Sequence, residues 1–299
     1  MKVIDEGKAA VELIKHNCFV CGSESFFLEF SGRLTNDHKF FRCASCGVII
    51  AEAERKKDMD YSDYGDYLIE EQSWETHLAK AKKNHSVKLR ALSSENKKTL
   101  LDFGAGEGFF VKAARDMGFE AVGYDPSDKL RTFASQTLGA TLFSDLQMID
   151  GTFDVISMFD VIEHIPAYAQ REVMSSLVKK LNTGGVLIGN TPNFESANTW
   201  IRKESDPAIW PPSHCSYFSP YSLNAYLESL ELVKVSLYTQ GVRSFRANKD
   251  SLSFLEKNTA STLFKWSCIY PMKVILRMLS LALSPVGFGY QIYFSYRKR

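Results

Sequence analysis

The chain has 299 residues, with 36 Lys and Arg against 35 Asp and Glu, a formal net charge of +1. A balance that close gives no basic field of the kind that advertises nucleic acid, and the length fits one large domain with an appendage. Hydrophobic residues make up 45% of the chain, which supports a packed core.

The opening stretch Met1-Lys2-Val3-Ile4-Asp5-Glu6 is amphipathic and charged. It lacks the apolar run of a signal peptide, so a cytoplasmic location is expected. Four of the six cysteines then form two knuckles, Cys18-Phe19-Val20-Cys21 and Cys43-Ala44-Ser45-Cys46. Each knuckle supplies two thiolates from one tight turn, and two such pairs make the tetrahedral ligand set of a zinc ribbon. Gly22 and Gly47 follow the knuckles, which suits such turns. Structural zinc held by Cys18, Cys21, Cys43 and Cys46 is the expectation. Redox chemistry at one C-x-x-C is the alternative, and disulfides would need an oxidising compartment. Four cysteine ligands close the site, so no zinc catalysis is expected. Cys215 and Cys268 are isolated thiols.

Short strands are predicted at 26–30, 39–42 and 48–50. Residues 58–67 carry Tyr61, Tyr64 and Tyr67 among four aspartates, with neither helical nor strand period. Such a stretch suits a linker or a lid over substrate. A helix over 74–92 leads into the next module.

Residues 100–110 read as an apolar strand, an acid at its end, three alternate glycines and a helix start. Glycines there let the backbone turn tightly and let a ligand approach it. The helix start adds free N–H groups and a positive dipole end. The dinucleotide fingerprint is G-x-G-x-x-G. Here Gly104, Gly106 and Gly108 are spaced G-x-G-x-G, and Phe109 stands where a third dinucleotide glycine would be. Asp102 precedes the loop. A carboxylate repels a pyrophosphate and welcomes an amino acid's ammonium, which points away from NAD and towards S-adenosylmethionine. A second strand ends at Asp125, about twenty residues after the first glycine, the spacing at which an acid reaches ribose hydroxyls. Pro126 suits a helix start. A third strand, 140–145, ends at Asp145, which reads as a contact to the adenine amino group or as a solvated loop acid.

The fourth strand, 153–159, runs into Asp160-Val161-Ile162-Glu163-His164. Ligands of doubly wound sheets bind at the carboxyl ends of strands, so Phe159 is expected at the cofactor and Asp160 and His164 at the reaction end. An amphipathic helix over 168–181, a glycine stop at 182–185 and a strand over 186–191 follow. Alternating strands and helices argue for a mostly parallel sheet with helices on both faces. Periodicity then lapses until a helix at 220–230. His214 lies in that loop behind Pro211 and Pro212, as a candidate general base or as a backbone-bonded structural histidine. Residues 271–284 form a very apolar helix candidate, for burial in protein or for lying at a membrane interface; its charges and Pro285 argue against spanning. A last strand is predicted over 287–296, with Arg297, Lys298 and Arg299 as a solvated end.

The Asp102–Gly108 pattern resembles the first motif of class I S-adenosylmethionine-dependent methyltransferases, and the Asp160–His164 run resembles a motif after strand four in many small-molecule members. The ribbon, the tyrosine connector, these two motifs and Pro212-x-His214-x-x-Tyr217-Phe218-Ser219 stand in one order over about residues 18–240. Together they resemble bacterial methyltransferases with an N-terminal zinc ribbon, related to sugar C-methyltransferases and to enzymes of surface-polysaccharide clusters. The resemblance implies an α/β, Rossmann-like seven-stranded sheet with an antiparallel last strand. It implies a nucleotide-linked sugar or glycan as acceptor, His214 as the base and Tyr64 near substrate. The domains on this reading are a ribbon at 1–57, a connector and helix at 58–96, and a methyltransferase domain at 97–299 with a hydrophobic insertion at about 261–285. At 299 residues the sequence is expected to be too short for the large extra C-terminal domain of the sugar C-methyltransferases, which leaves C- against O-methylation open. Peripheral contact with the inner face of a membrane through 271–284 stays open, as does the oligomeric state. One rival reading is a non-enzymatic binding protein that keeps the fold as a scaffold, against which the intact glycine loop and Asp125 argue; the other is an RNA methyltransferase whose ribbon grips nucleic acid. It needs a basic surface, and the ribbon carries as many acids as bases.

Overall fold

The computed structural model describes residues 17–31, 38–51, 74–95, 98–202, 206, 208–211, 213–241, 278 and 287–299. The tyrosine connector with Tyr64, Pro212, Cys268 and the 271–284 segment apart from Met278 lie outside them. The elements begin with β1 (Phe26–Ser31), β2 (Lys39–Cys43), β3 (Ile49–Ala51), α1 (Trp74–Ser94), β4 (Thr99–Phe103), α2 (Phe109–Asp116) and β5 (Glu120–Tyr124). Next come α3 (Asp128–Leu138), β6 (Leu142–Phe143), β7 (Phe153–Phe159), α4 (Gln170–Lys180) and β8 (Leu181–Pro192). The chain continues through α5 (Ala197–Arg202), β9 (Ser216–Tyr217), α6 (Pro220–Glu228), β10 (Leu232–Gln240) and β11 (Gln291–Lys298). Contacts group them into two units. One takes in Met1–Glu52, Thr191–Tyr226 and Ser236–Tyr293; the other Ala53–Asn190, Leu227–Val235 and Phe294–Arg299.

Seven strands form an α/β sheet in the order β10-β11-β8-β7-β4-β5-β6. β4 lies parallel between β5 and β7, and β8 lies parallel to β7. The chain winds outward from β4 through β5 and β6, then returns to the other side of β4 with β7, so β4 and β7 flank the switch point where such sheets bind ligands. β7 is buried at five of its seven positions, the continuous apolar run of a strand covered on both faces. Leu89 of α1, Val111 of α2, Leu138 of α3 and Ile188 of β8 share one core with Leu100 and Val155. α3 starts at the Ser127 cap and stops at Gly139, which takes φ 62.

β11 is the antiparallel strand, as its ends show. Tyr290 at its start accepts from the Asn193 amide at the far end of β8, while Lys298 at its end donates to the Leu181 carbonyl at the start of β8. Lys298 also reaches the Lys179 carbonyl, so it caps the C-terminal end of α4 rather than trailing in solvent as the sequence suggests. Two other boundaries differ. α4 ends at Lys180 because Leu181 turns extended to pair with Phe153, ahead of the glycines read as the stop. β6 keeps only Leu142–Phe143, because Asp145 already caps the 3-10 turn Leu146–Met148. Among the described residues no helix is long and apolar enough to cross a membrane.

The other unit holds a four-stranded antiparallel sheet, β1-β2-β3-β9. Phe40, Ile49, Ala51, Ile209 and Tyr217 make its core, with Phe194 packed against it. The first three strands fall where the sequence places them. β9 is a surprise, since two residues carry no period.

Gly189 in β8 tests the packing of the larger sheet. A Cβ there would run into the Met158 carbonyl oxygen and lie 2.5 Å from the Phe294 ring. Gly189→Ala should cost at least ~2 kcal/mol by overpacking, read as a lower urea midpoint at unchanged slope. A neutral substitution would contradict this register.

Candidate functional site

The glycine loop leaves β4 and enters α2, and each glycine has its own reason. Gly104 would drive a Cβ to 2.5 Å from Val161, and Gly108 to 3.0 Å from the Ala134 Cβ on α3. Gly106 has open space before it and takes φ 53. The first two let the loop pack, and the third leaves room for a ligand close to the backbone. Gly104 and Ala105 both donate their amides to the Tyr124 carbonyl. Gly123 in β5, which the sequence reading passed over, is the matching hollow: a Cβ on it would meet the Ala105 Cβ at 2.7 Å. Gly108 caps α2 in the left-handed region, with φ 79, and brings no side chain over the helix N-terminus.

Asp125 lies directly after β5 and is 7% exposed. Its Oδ2 accepts from the Gly106 amide at 2.8 Å and its Oδ1 from the Ser127 amide at 2.9 Å. Burial pushes its carboxyl up, and the two amides oppose that. Each oxygen keeps a second lone pair for a further donor. Asp102 is more deeply placed, at 4% exposure, and its Oδ1 accepts from Ser157 Oγ at 2.7 Å. Burial drives its carboxyl up to about 7; the Ser157 bond opposes the shift and the charge of Asp125 adds to it. Thus the loop brings Asp102, the three glycines and Asp125 into one place.

At the end of β7, Phe159 packs its ring against Phe110 at 5.1 Å and His85 at 4.8 Å. Asp160 takes φ 53, a strained value for an aspartate. Two bonds to β8 impose it: the Asp160 amide donates to the Asn190 carbonyl at 3.1 Å, and Asn190 Nδ2 donates to Asp160 Oδ1 at 2.8 Å. The turn Ile162–His164 follows, and buried Gln170 clamps it by donating to the Ile162 and Ile165 carbonyls. Ser157, Asn190 and Gln170 were missed in the sequence. For Ser157 and Asn190 the signal is a polar residue in or at the end of an apolar run; Gln170, at the start of α4, carries no such signal. Asp145 is exposed, and its Oδ1 accepts from the Gln147 amide at 2.9 Å.

In the other unit the four cysteine sulfurs lie within 4.8 Å of one another. Cys18 and Cys46 are 3.5 Å apart, Cys21 and Cys43 3.6 Å, and all four are free of disulfides. Tetrahedral zinc with Zn–S near 2.3 Å needs sulfur edges of about 3.8 Å. The set fits that polyhedron and suits a soft divalent cation. Gly22 and Gly47 take φ 76 and 74, and their amides close the turns onto the Cys18 and Cys43 carbonyls.

His214 is buried, with Nδ1 2.7 Å from the Ala208 carbonyl oxygen. A carbonyl only accepts, so Nδ1 carries the proton and Nε2 is the basic nitrogen of the neutral ring. Burial lowers its pKa below the usual 6.5. Tyr217 donates its hydroxyl to the His214 carbonyl at 3.0 Å, and buried Asp206 accepts the Ala208 amide at 2.8 Å. Asp206 was another residue the sequence reading missed. Arg42 of β2 pairs with Glu29 at 2.8 and 3.0 Å, meets Glu195 at 3.5 Å and lies over the Phe194 ring.

A protein-family model described as "Methyltransferase domain" matches residues 76–237, more than half of the chain. A curated relative, an "Uncharacterized methyltransferase" of Staphylococcus carnosus (strain TM300), is 28% identical over 117 residues. Those residues are 38% of this chain and 56% of that protein, so the match spans little more than half the relative's length. Similar solved structures include a SAM dependent methyltransferase from Archaeoglobus fulgidus. Its identity is 18% and its TM-score 0.47, with 73% of this chain and 94% of that one covered. Magnesium protoporphyrin IX methyltransferase from Synechocystis PCC 6803 with bound SAH is 15% identical with a TM-score of 0.46, covering 73% of this chain and 83% of that one.

Asp102 sets a pH dependence. Its pKa is raised from 3.8 to about 7, so between those values the folded chain holds more protons than the unfolded one. Stability therefore falls as pH rises through this window, and the full penalty, on the order of 4 kcal/mol, is present above pH 7. Asp102→Asn should raise the ligand-free melting temperature at pH 8 and leave it unchanged at pH 4, by calorimetry. An unchanged melting temperature at pH 8 would remove the argument.

Proposed function

The chain belongs to the methyltransferase-domain family, and we propose that it moves a methyl group from S-adenosylmethionine to a nucleotide-linked sugar or a surface-glycan precursor. One observation carries the cofactor reading: the three-glycine loop is tied by the Gly106 amide to Asp125, with a buried carboxylate, Asp102, at its entrance. Asp102 would face the ammonium of the methionine end. Asp125 would accept from the ribose hydroxyls through its remaining lone pairs. The second oxygen of Asp145 is the candidate acceptor for the adenine amino group, and Phe159 the candidate wall. When bound, the sulfonium supplies the methyl group.

The acceptor must lose a proton, from a hydroxyl or a carbon acid. His214 suits that task, because its proton is fixed on Nδ1 and its lowered pKa keeps Nε2 unprotonated and available to accept a proton at neutral pH. His164, with Asp160 before it, is the second candidate. The carbohydrate class rests on the resemblance of the whole motif order. Exposed indoles at Trp200 and Trp210, in the same unit as His214, support it by offering flat apolar faces beside polar groups. Zinc at the four cysteines would be structural, with no position left for catalysis.

Calorimetry with S-adenosylhomocysteine tests the cofactor. Because Asp102 must be ionised to meet the ammonium, affinity should fall roughly tenfold per pH unit below pH 7. Asp102→Asn should flatten that profile. Asp125→Ala should weaken binding at least about tenfold by removing a charged hydrogen-bond acceptor. Absence of binding, or wild-type affinity in Asp125→Ala, would sink the cofactor assignment.

With labelled cofactor and a panel of nucleotide sugars and glycans, one acceptor should gain a methyl. At saturating cofactor the rate should decline on the acid side with a midpoint below the 6.5 of an ordinary histidine, as His214 takes a proton on Nε2. His214→Ala with full turnover would end the base assignment.

A further inference from the structure

The ribbon and the His214 loop are parts of one sheet and one core. β3 leaves the second knuckle directly: the Cys43 amide donates to the Val48 carbonyl, and β3 begins at Ile49. β3 then pairs with β9, Ile49 opposite Tyr217 and Ile50 opposite Ser216. The Ala51 amide donates to the Cys215 carbonyl at 3.0 Å, one residue from His214. Tyr217 packs edge-on against Phe40 of β2 at 5.4 Å while its hydroxyl holds the His214 carbonyl.

The first knuckle reaches the same segment by another route. Phe19 sits between Cys18 and Cys21, only 6% exposed. Its ring meets Phe218 at 6.0 Å and Tyr226 of α6 at 5.0 Å, both edge-on. Phe218 in turn bridges to Asn193, and its carbonyl accepts the Phe194 amide at 2.9 Å. Two knuckles brought together by four sulfurs thus hold residues 214–218 from two sides.

We infer that metal at Cys18, Cys21, Cys43 and Cys46 seats the His214 loop, which makes the ribbon the positioning element of the acceptor side. The inference rests on the zinc reading above. β9 has two residues, too few to persist alone, and its sheet partner β3 has three. Their pairing depends on the knuckle that precedes β3. The four sulfurs lie within 4.8 Å of one another, so one cation between them would tie the first knuckle to the second. Metal bound there would hold the two knuckles together. The glycine loop, Asp102 and Asp125 belong to the other unit and share none of these contacts.

The test uses the full chain. Bound zinc is counted first by native mass spectrometry. Hydrogen exchange is then followed at residues 213–219 and 100–108, before and after zinc is stripped with a chelator. Exchange at 213–219 should rise at least tenfold, stay unchanged at 100–108, and return on adding zinc. Binding of S-adenosylhomocysteine should survive stripping. Phe19→Ala should keep its zinc and show the same loosening at 213–219, and Phe19→Leu should restore most of the protection. A chain that takes up no zinc overturns the zinc reading itself. Zinc that binds, but whose loss leaves 213–219 unchanged or loosens 100–108 equally, overturns the positioning role. Phe19→Ala with zinc bound and a fully protected loop overturns the packing route.

Discussion

The Asp125 carboxylate is the constraint on which the cofactor half depends. One of its oxygens takes the Gly106 amide and the other the Ser127 amide. The first bond ties the glycine loop to the end of β5; the second sets the approach to α3, which Ser127 caps. A loop with three glycines loses much conformational entropy on ordering, and bonds must offset that loss. Here it is held by that bond, by two amides on the Tyr124 carbonyl and by contact of Ala105 over Gly123. A single carboxylate thus orders the backbone through both of its oxygens. On the proposed function, the lone pairs that remain would serve a diol.

Asp102 shows the opposite economy. It is buried at the switch point, where its charge is poorly solvated, and Ser157 offers one bond in partial compensation. Nothing in the fold requires an acid there, since a neutral amide could accept the same hydroxyl. On the proposed function, a ligand ammonium beside this carboxylate would relieve the cost of its burial. The strained Asp160, pinned by Asn190, belongs to the same end of the sheet.

Much of this half was legible in the sequence because its signals are local. The glycine spacing, the apolar run of β7 and the acids at strand ends each depend on neighbours within a few residues. β4, β5 and β7 lie where the pattern puts them. What was not legible depends on distant partners. Ser157 is an unremarkable serine until β7 lies beside β4 and its hydroxyl meets Asp102. Asn190 gains meaning only when β8 reaches Asp160. Lys298 reads as a tail residue until β11 runs back along β8 to the end of α4. In each case a polar residue sits in or beside an apolar strand, and the partner is set by strand order, which periodicity does not encode.

The ribbon illustrates the same limit at a larger scale. Its cysteine spacing makes it look self-contained, yet its fourth strand is supplied by residues 216–217, more than 160 positions after the third. Two residues cannot announce a strand by alternation, and Ser216 and Tyr217 read as loop. Their place follows from burial instead: Tyr217 and Phe218 are large aromatic side chains at 3% and 0% exposure, and such side chains must find a core. Tyr217 finds the core that Phe40 and Ile49 open on the four-stranded sheet, and Phe218 packs against Phe19 and Tyr226. An aromatic pair in a loop beside a candidate base is therefore informative. It shows that the loop is anchored, and that His214 can be held in one geometry by a module encoded far away.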